Sequence, residues 1–337
     1  MIKRIKLFDP KIDESESRII NRTLSSHFWA SGEGVQNVAK FEKKFRNYIG
    51  SDECIAVNSG TAALNLALSA AKIENTEVIL PSLTFVSTAN AVMINGAKPV
   101  FADVDPINLC IDPQSIKKLI TKKTSVILPV HFAGMPCALN EIINICKEKN
   151  LILVEDAAHA VGSKYKNKRI GRHGDFVCFS FHPVKNLAMP TGGIISINHK
   201  NYKKISRYLE AMRWCGITDR KGSFYDVKDL GNNYYMNEFS AVIGIEQLKK
   251  LNKMNSIRRK IAKQYFSEIE IERKMPFEKE CSYHLYWICV KNREYFRRKL
   301  YENGIQTGTH YRPIHTFALY KNRTRLSFTE IVGKQIV

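Results

Sequence analysis

The sequence predicts an α/β protein with a mostly parallel sheet flanked by helices. Three observations lead there. Short apolar runs alternate with helix-compatible stretches up to about Ile197. The runs close on turn-forming residues such as Asn58-Ser59-Gly60 and Pro81-Ser82. The chain has 337 residues, 44% of them hydrophobic, which suits one large and one small domain or two of similar size. The large α/β domain is expected over residues 1–250 and a small α+β domain over 251–337.

Taken in order, Asp13 to Leu24 is a polar helix that Asp13 or Ser15 can cap. Gly32-Glu33-Gly34 breaks the chain. Val38 to Tyr48 has Val38, Phe41, Phe45 and Tyr48 at helical spacing. Cys54 to Val57 is a short strand, and Asn58-Ser59-Gly60-Thr61 turns it into a helix over Ala62 to Ala71. The strand Glu77–Leu80 and the helix Thr84–Asn95 follow, then the strand Pro99–Ala102 and the helix Pro113–Ile120. Ser125–Pro129 reads as a strand and Ala138–Lys149 as a helix. A long helix over Met236–Phe266 leads out of the large domain. Beyond about Met275, Tyr286–Val290 reads as a strand and Glu294–Asn303 as a helix. Gly304 turns the chain into Thr307–Tyr311, and no final helix is expected before Val337.

The formal net charge is +20, which raises nucleic-acid binding as a function. The basic pairs are spread along helical patterns, however, as expected of solvated outer faces, and nucleic acid is not the expected partner. The eight cysteines include no CxxC pair and no zinc spacing, so reduced, mostly buried thiols and no metal site are expected. No apolar run reaches the length of a membrane span. The N-terminus lacks an apolar stretch after its early basic residues, so a cytoplasmic protein without signal peptide is expected.

The chemistry concentrates between Val154 and Gly193. The run Leu151–Val154 feeds into Glu155 and Asp156; the run Phe176–Phe181 ends at His182, with Lys185 close behind. Open α/β sheets place their sites at the carboxyl ends of strands. An acid and an amine held there suit pyridoxal phosphate (PLP), which needs an acidic partner for its pyridinium nitrogen and a lysine for its Schiff base. Taken singly, each residue has a plainer reading. Lys185 is one of many lysines, and Asp156 also suits a metal ligand or a helix cap. His159 either stacks on or hydrogen-bonds a ring, or is simply packed. Gly60 and Thr61 point backbone N–H groups and a hydroxyl at an anion, or merely cap a helix. Ser180 can add a hydroxyl to the same phosphate. Phe85 either covers a ring face or joins the core.

Seven stretches occur in this order: SGTAALNLAL, PSLTFVSTANAV, VFADVD, VEDAAHAVGSKYKNKRIGRHGD, FSFHPVKNL, LGNNYYMNEFSAVIGIEQL and HYRPIH. Together they resemble the DegT/DnrJ/EryC1/StrS family of PLP-dependent nucleotide-sugar aminotransferases, from about Ile5 to His315. The resemblance implies a PLP-dependent transferase of fold type I (aspartate-aminotransferase-like), acting as a homodimer with shared active sites. It makes Lys185 the Schiff-base lysine and Asp156 the partner of the pyridine nitrogen, with His159 beside the ring. Gly60, Thr61 and Ser180 match phosphate contacts, Phe85 the stacking aromatic, and Asn233 an Asn reaching the neighbouring subunit's cofactor. His182, His310 and Tyr311 fall in motifs near the sugar. The implied substrate is a nucleotide-linked keto sugar, a 4-keto-6-deoxyhexose, with glutamate as amino donor. The alternative is a catalytically idle member that serves as a sensor or binds nucleic acid.

Three departures accompany the resemblance. Tyr235 stands where Arg is frequent, Pro190-Thr191 stands where Gly-Glu is common, and relatives extend further at the C-terminus, so a short or truncated small domain is expected.

Overall fold

The computed structural model describes residues 4–321 and 324–337; Met1–Lys3, where the targeting-signal reading begins, lie outside them. Five strands arrive in the predicted order: β1 (Glu53–Val57), β2 (Glu77–Pro81), β3 (Lys98–Ala102), β4 (Thr124–Ile127) and β5 (Ile152–Asp156). A small hairpin, β6 (Lys164–Tyr165) with β7 (Lys168–Arg169), precedes β8 (Phe176–Ser180) and β9 (Gly193–Ile197). The seven larger strands form one sheet in the order β1-β9-β8-β5-β4-β2-β3. Only β9 runs antiparallel to its neighbours, β1 and β8. The carboxyl ends of β1, β5 and β8 and the start of β9 therefore meet at one edge.

The pleat sorts the core into two layers. Ile55, Val154, Phe176, Cys178 and Ile195 face one side; Ala56, Leu153, Val177, Phe179 and Ile194 face the other. Helix α1 (Glu14–Ser25) is capped by Asp13: its carboxylate accepts from Ser15 N–H at 2.9 Å, and Glu16 accepts in return from Asp13 N–H at 3.0 Å. Helix α2 (Gln36–Ile49) buries Val38, Phe41, Phe45 and Ile49. Tyr48 is half-buried, its hydroxyl 2.8 Å from the Asn252 side chain. Helices α3 (Gly60–Ala70), α4 (Ser87–Ile94), α5 (Pro113–Leu119) and α6 (Leu139–Lys149) connect the strands. Helix α7 (Tyr202–Met212) and an exposed hairpin, β10 (Ile217–Lys221) with β11 (Phe224–Val227), were not anticipated from sequence.

Helix α8 (Glu238–Glu268) passes without a break through residue 250, where the domain boundary was expected. Buried residues from both sides of that position, such as Phe41, Leu153, Tyr283 and Val332, share one core layer. The expected strand Tyr286–Val290 is corrected: it forms only isolated bridges, Lys274–Ile288 and Cys289–Ile336. Its N–H and C=O groups do pair on both sides, with Arg273–Met275 and with Gln335–Val337, but these flanking segments are too short to make strands. After α9 (Arg293–Glu302), the expectation of no final helix is also corrected, because α10 spans Ser327–Gln335. No local side chain caps α10. Asp103, on the far side of the sequence, accepts from Phe328 N–H at 3.1 Å and Thr329 N–H at 2.8 Å. A carboxylate there satisfies orphan donors at the positive helix end. All eight cysteines are free thiols, seven of them buried. No described helix is long and apolar enough to cross a membrane.

Candidate active site

A cavity of about 340 Å³ opens where the strand ends meet. Lys185, Asp156, His159, Gly60, Thr61, Ser180, Phe85, His182, His310 and Tyr311 all line it, from five separate segments of sequence. Asn233 does not line it.

The pleat decides which acid reaches the cavity. Glu155 turns to the opposite face, where His131 Nε2 lies 2.6 Å from its carboxylate in full burial. Asp156 turns inward. One of its oxygens accepts from Thr88 Oγ1 at 2.9 Å and the other from Ala158 N–H at 3.1 Å. Burial pushes its pKa up, while those two hydrogen bonds and the charge of Lys185 oppose that shift. Each carboxylate oxygen offers two lone pairs, so an N–H from a bound ring has an acceptor left to meet.

Lys185 follows β8 by a tight turn in which its N–H donates to His182 O at 2.8 Å. Desolvation lowers its amine to about 8, against the opposing pull of Asp156. An amine so placed is partly neutral near neutral pH, the form that acts as a nucleophile or accepts a proton.

At the other end, Ser59 Oγ caps α3 by accepting from Ala62 N–H at 3.1 Å, leaving the first turn of α3 to face the cavity beside Thr61. Gly60 is required here by packing: a Cβ would lie 2.6 Å from the Cβ of Ser180. Gly193 meets the same constraint, since a Cβ would lie 2.3 Å from Ser59 O. Backbone N–H groups are thus brought to the cavity wall with no side chain over them, as a phosphate requires. Of the departing pair, Thr191 lines the cavity and its hydroxyl donates to the Asn58 carbonyl.

The cover comes from irregular segments. Phe85 is exposed, its ring centroid 6.0 Å from that of Tyr311. His159 is buried and its Nε2 lies 3.2 Å from Tyr311 Oη. Burial and the Lys185 charge hold its imidazole well below the usual range. Burial likewise drives His310 down to about 4 and lifts the Tyr311 phenol, so all three are neutral near pH 7.

Sequence reasoning missed Thr88 and Ser82, which both lie inside the stretch PSLTFVSTANAV without an assigned role. It also missed Asn186, which lies inside FSFHPVKNL directly after Lys185, and His284, which lies outside all seven stretches. Among the described residues, no group of three or more His, Cys, Asp or Glu is arranged to hold a metal ion.

A buried acid, a lysine with a lowered amine pKa and a helix N-terminus surround one cavity at the end of an α/β sheet, and the fold is that of the type I PLP-dependent aminotransferases. The profile of the DegT/DnrJ/EryC1/StrS aminotransferase family matches residues 10–334, and the chain belongs to that family. It is 33% identical over 329 residues to the GDP-perosamine synthase of Escherichia coli O157:H7, covering 96% of this chain and 88% of that protein. It superposes with a TM-score of 0.91 and 25% identity on Helicobacter pylori PseC, an aminotransferase of pseudoaminic acid biosynthesis, covering 99% and 93% of the two chains. The PLP form of Spr1654 from Streptococcus pneumoniae gives a TM-score of 0.92 at 25% identity, covering 99% and 92%. The protein is a PLP-dependent sugar aminotransferase.

Proposed function

We propose that the chain aminates a nucleotide-linked 4-keto-6-deoxyhexose, with glutamate as the amino donor. The observation that carries this reading is the convergence of Lys185, Asp156 and the Gly60–Thr61 helix start on a single cavity. The GDP-perosamine synthase and PseC relatives support a nucleotide sugar as the acceptor.

PLP, when bound, supplies an aldehyde that captures amines and a ring that draws electrons from the substrate carbon. The residues do the rest. Lys185 would hold the cofactor through its aldehyde carbon and, when free, would carry the proton between the donor's α-carbon and that carbon. Asp156 accepts a hydrogen bond from the ring nitrogen and keeps it protonated. Gly60, Thr61 and Ser180 receive the phosphate. Phe85 and His159 confine the ring, and His182, His310 and Tyr311 meet the sugar.

The working form in this reading is a homodimer in the cytoplasm, with Asn233 completing the neighbouring subunit's phosphate site. Asn233 is exposed and lies outside its own cavity. The nearby hairpin displays Phe224, Tyr225 and Val227, and Leu230 just beyond it is 93% exposed, as befits a surface awaiting a second copy.

The test incubates the loaded enzyme with glutamate and a panel of nucleotide keto sugars, followed by mass spectrometry and NMR of the product. An amino sugar formed at C4 supports the reading. Bleaching by glutamate with no amino sugar from any member of the panel would sink the substrate assignment. A salt-sensitive DNA gel shift without bleaching would favour the nucleic-acid alternative.

A further inference from the structure

His284 lies outside the seven motifs, yet it borders the site. Its backbone N–H donates to Ala133 O at 2.9 Å, while Ala133 N–H donates to His159 Nδ1 at 3.3 Å. Both histidines therefore hang from opposite ends of one residue, which adopts the left-handed φ of 55°. The two rings pack with centroids 4.4 Å apart and planes 37° apart.

The proton positions follow from the neighbours. Asn255 Nδ2 donates to Val161 O at 2.9 Å, so Asn255 Oδ1 is the atom that accepts from Asn186 Nδ2 at 3.0 Å. Asn186 Nδ2 also donates to Ser282 O at 2.9 Å. Asn186 Oδ1 is left facing His284 Nδ1 at 3.1 Å, which must donate. His159 has the opposite arrangement: Nδ1 accepts, so its proton sits on Nε2, toward Tyr311. Burial and the Lys185 charge hold both rings neutral. Asn186 is the residue directly after Lys185.

We propose that His284 is a positioning residue that clamps the plane of the His159 ring and ties it, through Asn186, to the turn bearing Lys185. This rests on the reading of Lys185 and His159 as the cofactor's holder and neighbour.

Three variants separate its two contacts. His284→Ala removes both, His284→Asn keeps a donor near Asn186, and His284→Phe keeps the stacked ring. The readouts are the ¹⁵N NMR signals of His159 in the cofactor-free protein, the pH titration of the visible band in the loaded enzyme, and the split between kcat and KM. The Ala variant is expected to give shifted and broadened His159 signals from a ring no longer held in one plane, a shifted band titration and a kcat lower by roughly ten- to a hundredfold, with KM for the donor little changed. The Asn and Phe variants should each recover part of all three. Wild-type His159 signals and band titration in the Ala variant overturn the proposal. If the Ala variant does not fold, wild-type behaviour of both Asn and Phe variants overturns it equally. Lys185→Ala distinguishes the levels: an unchanged visible band there overturns the underlying reading, whereas its loss beside silent His284 variants overturns only this inference.

Discussion

The floor and the cover of the cavity are held by different means. On the floor, Asp156 and Ser180 end strands whose register is set by continuous main-chain pairing, and Ser180 lies opposite Gly193 in the ladder. Gly60 and Gly193 are so closely approached that one added carbon does not fit. The cover has no ladder. Phe85 and Tyr311 stand on irregular segments joined through Ser82, whose hydroxyl accepts from His315 N–H at 3.1 Å and lies 2.7 Å from His315 Nδ1. The Ser82 carbonyl also accepts from Ile314 N–H at 2.9 Å. A sheet-built floor fixes the chemistry; a cover hung on a few hydrogen bonds can be altered without disturbing that chemistry.

That contrast can be broken by experiment. The largest effect is expected for Lys185→Ala, with activity down on the order of 10⁴-fold or more and the visible cofactor absorbance lost. Gly60→Ala comes next. Forcing a Cβ against Ser180 should cost about 1–3 kcal/mol in stability, read by denaturant melts, and weaken PLP binding in fluorescence titrations. A Gly60→Ala enzyme with unaltered PLP affinity would remove the cradle from the floor.

The third prediction concerns pH. With the Lys185 amine lowered from 10.5 to about 8, the folded cofactor-free protein releases this proton before the unfolded chain does. Its desolvation cost is fully present below about 8 and fades as pH rises toward 10.5, so this group's contribution to stability increases across that window. The rate at which cofactor-free enzyme captures PLP should rise with pH and level off above about 8. A rate still climbing through pH 10 would place the amine in ordinary solvent.

The smallest effect is expected on the cover. Ser82→Ala leaves the buried His315 N–H without its acceptor and should cost about 1–3 kcal/mol. It should raise KM for the nucleotide sugar severalfold while leaving the glutamate half-reaction near wild type. A comparable loss in both half-reactions would erase the distinction between floor and cover.

The same contrast explains what was legible in sequence. Leu151–Val154 and Phe176–Phe181 are apolar runs that stop abruptly near a charge, so the strand ends, Asp156 and Lys185 could be read directly. Local caps such as Asp13 on α1 were equally visible. Helix α10 was hidden because its cap, Asp103, comes from another part of the chain. Tyr286–Val290 has strand-like residues, but only the folded neighbours show how little of it is paired as a ladder. The hairpin β10–β11 turns Phe224 and Tyr225 outward, against the usual expectation that aromatic strand residues mark a core. His284 and Asn186 gain their meaning only from partners distant in sequence.

The docking of the 310–315 segment onto Ser82 also dictates when the site comes into being. Tyr311 leaves the ribosome roughly 125 residues after Lys185, a delay on the order of 10 s at ordinary rates of synthesis. During that interval the segment that closes over Lys185 and Asp156 has not yet been made. The cavity that Lys185 and Tyr311 both line is therefore complete only once residue 311 has been made.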